Sequence, residues 1–258
     1  MSSRALLHMA ADAPGAPGSG CAGPLAGMDL AQAADFLRSG GALVFPTETF
    51  YGLGCLAANA EAVARVYQLK RRPVHKPLPL LAAHAAQVEE VADLAAMPRG
   101  LLAFWPGPLT VLLPARPCLP QALVNSEGLA AVRVTPHPLA AQLAVAAGGV
   151  LTASSANLSG GEAARMPQQL DPALLEALRR MAFTMPPPVS GNSGLEKQNI
   201  PLPLLLGGPL PAGGQPSTVV QPLGRGGNGA GASATSLRIV RAGAVSAARL
   251  EAAGFLLE

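Results

Sequence analysis

The chain has 258 residues, half of them apolar and 3% aromatic, so it can bury one sizeable core, and length alone allows one or two domains. A formal net charge of +3 is too small for a global polyanion-binding field. Three widely spaced cysteines, Cys21, Cys55 and Cys118, form no Cys-x-x-Cys pair and no zinc-type cluster, which points to a reducing compartment. No apolar run reaches the ~20 residues that would span a bilayer.

Residues 1–28 carry only Arg4 and Asp12 as charges and read as a flexible tail, with too little arginine to argue a transit peptide. The rest, 29–258, reads as one domain. Asp29 opens a helical pattern with Leu30, Ala33, Ala34 and Leu37 on one face, closed by Gly40 and Gly41. Ala42 to Phe45 reads as a buried strand, and Pro46 to Gly54 as a hydroxyl-rich loop. Asn59 caps a second helix that stops before Pro73. Strands are expected at 78–82, 109–113, 130–134 and 150–153. Residues 84–104 read as helical with a break near Pro98, and 138–147 as a helix. Asp171-Pro172 is a cap followed by proline in the first turn, starting a helix to about Arg180. Strands near 217–221 and 237–241 and a helix from Ser246 complete the pattern. Strands alternating with helices define an α/β class. Two stretches read as inserts: 181–203, with a proline triplet, and the Gly-rich 224–236, whose composition is that of a flexible linker.

The common nucleotide and hydrolase signatures are absent: there is no Walker loop, no G-x-G-x-x-G after a strand and no G-x-S-x-G elbow. Four other segments carry chemistry. Pro46–Gly54 is either a tight connection or a pocket rim offering the Thr47 and Thr49 hydroxyls. Lys70-Arg-Arg-Pro-Val-His-Lys-Pro77 holds two of the three lysines of the chain between stiffening prolines. A cation at a helix C-terminus favours the dipole in any case, but a rigid basic turn suits a fixed anion. Ser154-Ser-Ala-Asn-Leu-Ser-Gly160 follows an apolar strand, where α/β folds bind ligands, and is denser in polar groups than a turn requires. Arg133 stands inside the apolar strand Ala130–Val134 and must find a partner, either a ligand carboxylate or an internal salt bridge.

Seven segments in order resemble the YrdC/Sua5 family of threonylcarbamoyl-AMP synthases. They are Pro46-Thr-Glu-Thr-Phe-Tyr-Gly-Leu-Gly54; Lys70-Arg-Arg-Pro73 with Lys76-Pro77; Phe104-Trp-Pro-Gly-Pro-Leu-Thr110; Ala131-Val-Arg-Val134 with His137-Pro138; Ser154-Ser-Ala-Asn-Leu-Ser-Gly160; Pro216-Ser-Thr-Val-Val220; and Ile239-Val-Arg-Ala-Gly243. The resemblance covers residues 29 to about 250. It departs where Leu206-Gly207-Gly208 replaces the family's usual Asp-Gly-Gly, and it ends without the extra C-terminal domain of the longer Sua5 type.

The resemblance implies a YrdC-like fold, a twisted mixed sheet flanked by helices with a basic concave face. It implies an L-threonylcarbamoyladenylate synthase, a nucleotidyltransferase that joins L-threonine, bicarbonate and ATP, with Mg²⁺ accompanying the ATP. The product would pass to a tRNA threonylcarbamoyl transferase complex for t6A modification, in the cytoplasm or, alternatively, a mitochondrion or plastid. Carried onto this chain, the catalytic set is Lys70, Arg72, Ser155 and Asn157. ATP would meet Arg72, Lys76, Ser155 and Arg241, and threonine would meet Thr49, Arg133 and Ser217. Two competing readings remain. One is a non-catalytic RNA-binding module that uses the basic face for tRNA or double-stranded RNA. The other is a carbamoyl-transfer domain of a hydrogenase-maturation protein, whose further domains and cysteine pairs are missing here.

Overall fold

The computed structural model describes residues 27–185, 201–225 and 235–258. Cys21, nearly all of the tail, and the inner parts of both presumed inserts lie outside the described residues. The elements run β1 (Gly27–Met28), α1 (Leu30–Arg38), β2 (Leu43–Pro46), β3 (Tyr51–Gly54), α2 (Ala60–Lys70), β4 (Leu80–Ala82) and α3 (Ala85–Val88). They continue β5 (Leu109–Pro114), β6 (Leu129–Val134), α4 (Pro138–Ala147), β7 (Leu151–Thr152), β8 (Ser154–Ser155) and α5 (Pro172–Thr184). The last are β9 (Leu202–Leu205), β10 (Thr218–Arg225), β11 (Thr235–Arg241), α6 (Ala247–Ala252) and β12 (Leu256–Leu257).

Local chemistry explains the helix ends. Asp29 accepts from the Gln32 N–H at 2.8 Å while the Gln32 side chain accepts from the Asp29 N–H, a reciprocal capping box for α1. Asn59 caps α2 through the Ala62 N–H, and His137 caps α4, which has proline in its first turn. The N-terminus of α6 is capped by Ser246, as the sequence predicts.

The strands divide into two mixed sheets, not one. A five-stranded sheet has the order β1-β9-β2-β3-β8, and a seven-stranded sheet the order β12-β11-β10-β5-β6-β4-β7. The chain passes from the second sheet to the first between β7 and β8, at Ala153, whose N–H donates to the Pro79 carbonyl at 2.8 Å. A single bridge, Leu56 to Leu151, adds a second link. The larger apolar core joins both sheets with α2 and α5 residues such as Val63, Val66, Leu174 and Leu178, and a smaller one packs α1 and α4 through Leu37, Leu143 and Ala144.

Three expectations need correction. Pro46–Gly54 is not a loop throughout: β2 and β3 pair antiparallel from Leu43↔Gly54 to Pro46↔Tyr51, leaving a four-residue turn at 47–50. Gly54 serves close approach, since a Cβ there would come within 1.7 Å of the Thr152 carbonyl oxygen. Residues 84–104 hold one α-helical turn, α3, and then 3₁₀ segments Leu94–Ala96 and Arg99–Phe104. Asp93 and Pro98 restart the chain at each of these. The 181–203 insert is too wide: α5 runs to Thr184, and the fully buried Leu202–Leu205 forms β9, parallel to β1 and β2. A strand so short, after residues without period, has no pattern of its own to reveal it.

Candidate active site

Where the two sheets meet, the ends of several elements enclose a cavity of about 130 Å³. The 47–50 turn supplies Thr47 and Thr49, and β6 supplies Arg133. The crossing at 153–155 supplies Ser154 and Ser155. Arg72 comes from beyond α2, Ser217 from the start of β10 and Arg241 from the end of β11. Six of the nine candidate residues therefore share one wall: Thr49, Arg72, Arg133, Ser155, Ser217 and Arg241. No Asp or Glu lines it.

Each guanidinium is held from behind. Arg71 ends α2 in the left-handed region at φ 49, the one non-glycine residue among those described with positive φ. That turn, with Pro73 two residues on, sends Lys70 and Arg72 in different directions. Arg72 donates from Nε to the Lys76 carbonyl at 2.8 Å and from Nη2 to the Pro77 carbonyl at 3.2 Å. Arg241 donates from Nη2 to the carbonyl of Ser217 at 2.6 Å and to its Oγ at 3.0 Å; that hydroxyl also accepts from Thr110 at 2.9 Å. Gly243 allows this approach, because a Cβ there would lie 2.2 Å from the Pro216 carbonyl oxygen. Burial lowers the pKa of Arg72 and of Arg241, and the charges of Arg133 and Arg72 lower Arg241 further. Three guanidinium groups with no carboxylate on the same wall offer a setting suited to an anion.

Arg133 is buried, with its partner Glu48 on the 47–50 turn: Nε lies 3.0 Å from Oε1. The N–H is not aimed along that line, so neither atom makes a hydrogen bond and the contact is an ion pair. Glu48 Oε2 accepts from the Thr135 hydroxyl at 2.8 Å. Of the two partners open to Arg133 in the sequence, the structure realises the internal salt bridge and still turns Arg133 to the cavity. Glu48 sits within the Pro-Thr-Glu-Thr segment; its place between two noted threonines was the available signal.

The other three candidates lie off the wall. Lys70, 2% exposed, donates its ammonium to the Ser155 and Asn157 carbonyls, the latter at 2.7 Å. Asn157 is buried, accepts from the Ser155 hydroxyl on Oδ1 and donates from Nδ2 to the Gly161 carbonyl. The two therefore brace the loop that presents Ser155. Burial, then the Arg72 charge, push the Lys70 pKa down to about 8. Lys76 is exposed and contributes its carbonyl, which also accepts from Tyr67 Oη at 3.2 Å. Cys55 is buried against Thr152 with its thiol pushed up to about 12, which makes it unreactive.

Among the described residues no group of three or more His, Cys, Asp or Glu could hold a metal ion, and no helix is long and apolar enough to cross a membrane. Fold and site together define an α/β protein with an arginine-lined cavity at a sheet junction. A profile described as "Telomere recombination", that of Sua5, YciO and YrdC, matches residues 35–186, and the chain belongs to that family. Threonylcarbamoyl-AMP synthase from Methylococcus capsulatus is 46% identical over 150 residues, 57% of this chain and 81% of the relative. The Stenotrophomonas maltophilia protein of the same name is 43% identical over 155 residues, 58% of this chain and 83% of the relative. Among solved structures, Sua5 from P. abyssi complexed with L-threonine superposes with a TM-score of 0.67 at 26% identity, covering 89% of this chain. This chain spans 58% of that one.

Proposed function

We propose that this chain is a threonylcarbamoyl-AMP synthase. The observation that carries the reading is the convergence of Arg72, Arg133 and Arg241 on one small cavity whose lining has no carboxylate. Bicarbonate, threonine and ATP all bring negative charge to the reaction, and a cluster of held cations, with Arg133 buried and Arg72 half-buried, offsets their repulsion. The threonine amine combines with bicarbonate to give a carbamate and water. A carbamate oxygen then attacks the α-phosphorus of ATP, the bond to the β-phosphate oxygen breaks, and pyrophosphate leaves. Arg72 and Arg241 suit the phosphates. Arg133 suits the threonine carboxylate, with Thr49 and Ser217 beside it, and Ser155 can orient a carbamate or phosphate oxygen.

Lys70 and Asn157 serve this chemistry through the Ser155 loop. Among the described residues no cluster of carboxylates, histidines or cysteines would hold a metal, and Mg²⁺ belongs to this reading as part of the ATP substrate, held on its phosphates. The product, an activated acyl phosphate, requires a nucleophilic amine as acceptor. In this reading the acceptor is the tRNA adenosine, reached through a transferase partner in the cytoplasm. A cavity of about 130 Å³ lined by hydroxyls and three arginines suits small anionic groups held at fixed positions. The test is to incubate the chain with ATP, L-threonine and bicarbonate and to follow pyrophosphate and the adenylate by mass. Threonine- and bicarbonate-dependent pyrophosphate release is expected, and its absence from folded protein rejects the activity.

A further inference from the structure

We infer that Glu48 is a positioning residue that aims the Arg133 fork at the substrate carboxylate, an inference that rests on the reading of Arg133 given above. Four observations carry it. Glu48 stands behind Arg133 and is absent from the cavity lining, whereas Arg133 lines the cavity. The contact uses Nε, which leaves both terminal nitrogens free; neither makes a hydrogen bond to a described residue, and neither is among the fully enclosed unpaired atoms. Those two nitrogens form the parallel pair of donors that matches a carboxylate.

Glu48 is itself fixed on three sides. Its Oε2 takes the Thr135 hydroxyl, and that oxygen accepts from the His137 N–H at 3.1 Å. The His137 ring in turn contacts the Pro209 carbonyl at 2.9 Å. The Glu48 backbone is strapped down by the Ala212 N–H at 3.3 Å, and that of Thr49 by the Gly213 N–H at 2.8 Å. Glu48 is thus a rigid wall anchored on α4 and on the loop before β10. Finally, Glu48 Oε1 and Arg133 Nε are enclosed, 3.0 Å apart and misaligned. Burying two opposite charges without completing their hydrogen bond is costly in a purely structural pair. A carboxylate gripped by the two terminal nitrogens fixes the guanidinium plane, and Glu48 completes the third side.

The test measures L-threonine affinity by calorimetry in the full chain for the native protein, Glu48→Gln, Arg133→Ala and the double variant. Glu48→Gln is expected to weaken threonine binding roughly tenfold, the worth of one charge-assisted hydrogen bond. The Michaelis constant for ATP should stay near the native one. In the Arg133→Ala background the Glu48 change should add nothing, and L-threoninol, which lacks the carboxylate, should bind native and Glu48→Gln protein equally. Native threonine affinity in Glu48→Gln, or an equal further loss in the Arg133→Ala background, overturns the inference. Native affinity in Arg133→Ala instead overturns the reading of Arg133. Should Glu48→Gln fail to fold, Thr135→Val loosens the same carboxylate and should weaken threonine binding roughly threefold, leaving ATP alone; no change there counts against the inference.

Discussion

Lys70 and Arg72 are two residues apart and carry the same charge, yet the fold uses them in opposite ways. Arg72 leans on the carbonyls of Lys76 and Pro77 with its other side open to the cavity. Lys70 turns inward and donates to the carbonyls of Ser155 and Asn157, with 2% of its surface exposed. The same division separates the wall of Arg72, Arg133 and Arg241 from the brace of Lys70 and Asn157. A cation supported from behind and open in front is available to an anion; a cation surrounded by carbonyls holds chain together. The left-handed Arg71 between them makes the separation possible.

Substitutions that strike the wall should remove activity before stability, and those that strike the brace should do the reverse. The largest effect on catalysis is expected from Arg72→Ala, with kcat/KM for ATP lowered ~10²-fold or more. Two carbonyl contacts are also lost, so melting should fall by only a few degrees, since such bonds contribute about 1 kcal/mol each. A large melting shift with activity lost only in proportion would move Arg72 from the wall to the brace.

Lys70→Met comes next and sharpens the contrast. It leaves the Asn157 carbonyl without its donor and takes one of two donors from the Ser155 carbonyl, which keeps the Asn157 N–H at 2.9 Å, a cost of roughly 1–3 kcal/mol, partly offset by removing a buried charge. A clear loss of melting temperature is expected, with activity falling because Ser155 is less well held. The pH dependence separates the roles further. The folded pKa of Lys70, about 8, lies below its ordinary 10.5. Between those values the unfolded chain binds more protons, so this group makes native stability rise with pH across that window. Denaturant titrations from pH 8 upward should show this rise in the native protein and a smaller one in Lys70→Met. Unchanged melting with abolished pyrophosphate release would instead place the Lys70 ammonium on substrate.

The same contrast explains what could be read in the sequence. Part of the wall was legible in residue types: Arg133 in an apolar strand, the hydroxyl of Thr49 and Arg72 of the basic turn all line the cavity, whereas Ser217 was marked only by the family resemblance and Lys70 and Lys76 of the same turn lie off the wall. Orientation was not. Whether Lys70 faces ligand or carbonyl depends on one left-handed dihedral at Arg71, and nothing in the residue types of 70–72 encodes it. Glu48 was hidden for a related reason: its value lies in standing 3.0 Å behind Arg133, some 85 residues later in the chain, and only folding reveals that. Strand β9 escaped because four buried residues show no period, while α1, α2 and α5, each with a side-chain cap and one buried face, declared themselves.

The remaining predictions concern the β10–β11 hairpin, where wall and linker meet. Arg241→Ala removes a guanidinium held by Ser217, so the Michaelis constant for ATP should rise about tenfold, the worth of one charge-assisted contact. Native ATP use in that variant would take Arg241 off the wall. The smallest effect is expected at the other end of the same hairpin. The Gly-rich stretch 224–236 has the composition of a flexible hinge that could carry Arg241 over the nucleotide. The register places the hairpin differently. Val219 pairs with Arg241 and Arg225 with Thr235, so the strands open toward 226–234 at the end farthest from Arg241. At about 3.3 Å per residue, the six residues from Thr235 to Arg241 put roughly 20 Å between them. Arg241 is held by Ser217 next to β10, and a connection at the far end has no lever on it. Replacing 226–234 with an Asn-Gly turn, which suits a two-residue connection between paired partners, should leave kcat/KM within about twofold. Stability should hold or improve slightly, because a shorter connection costs less closure entropy. A large loss of activity with melting unchanged would restore the hinge and place the connection in the catalytic cycle.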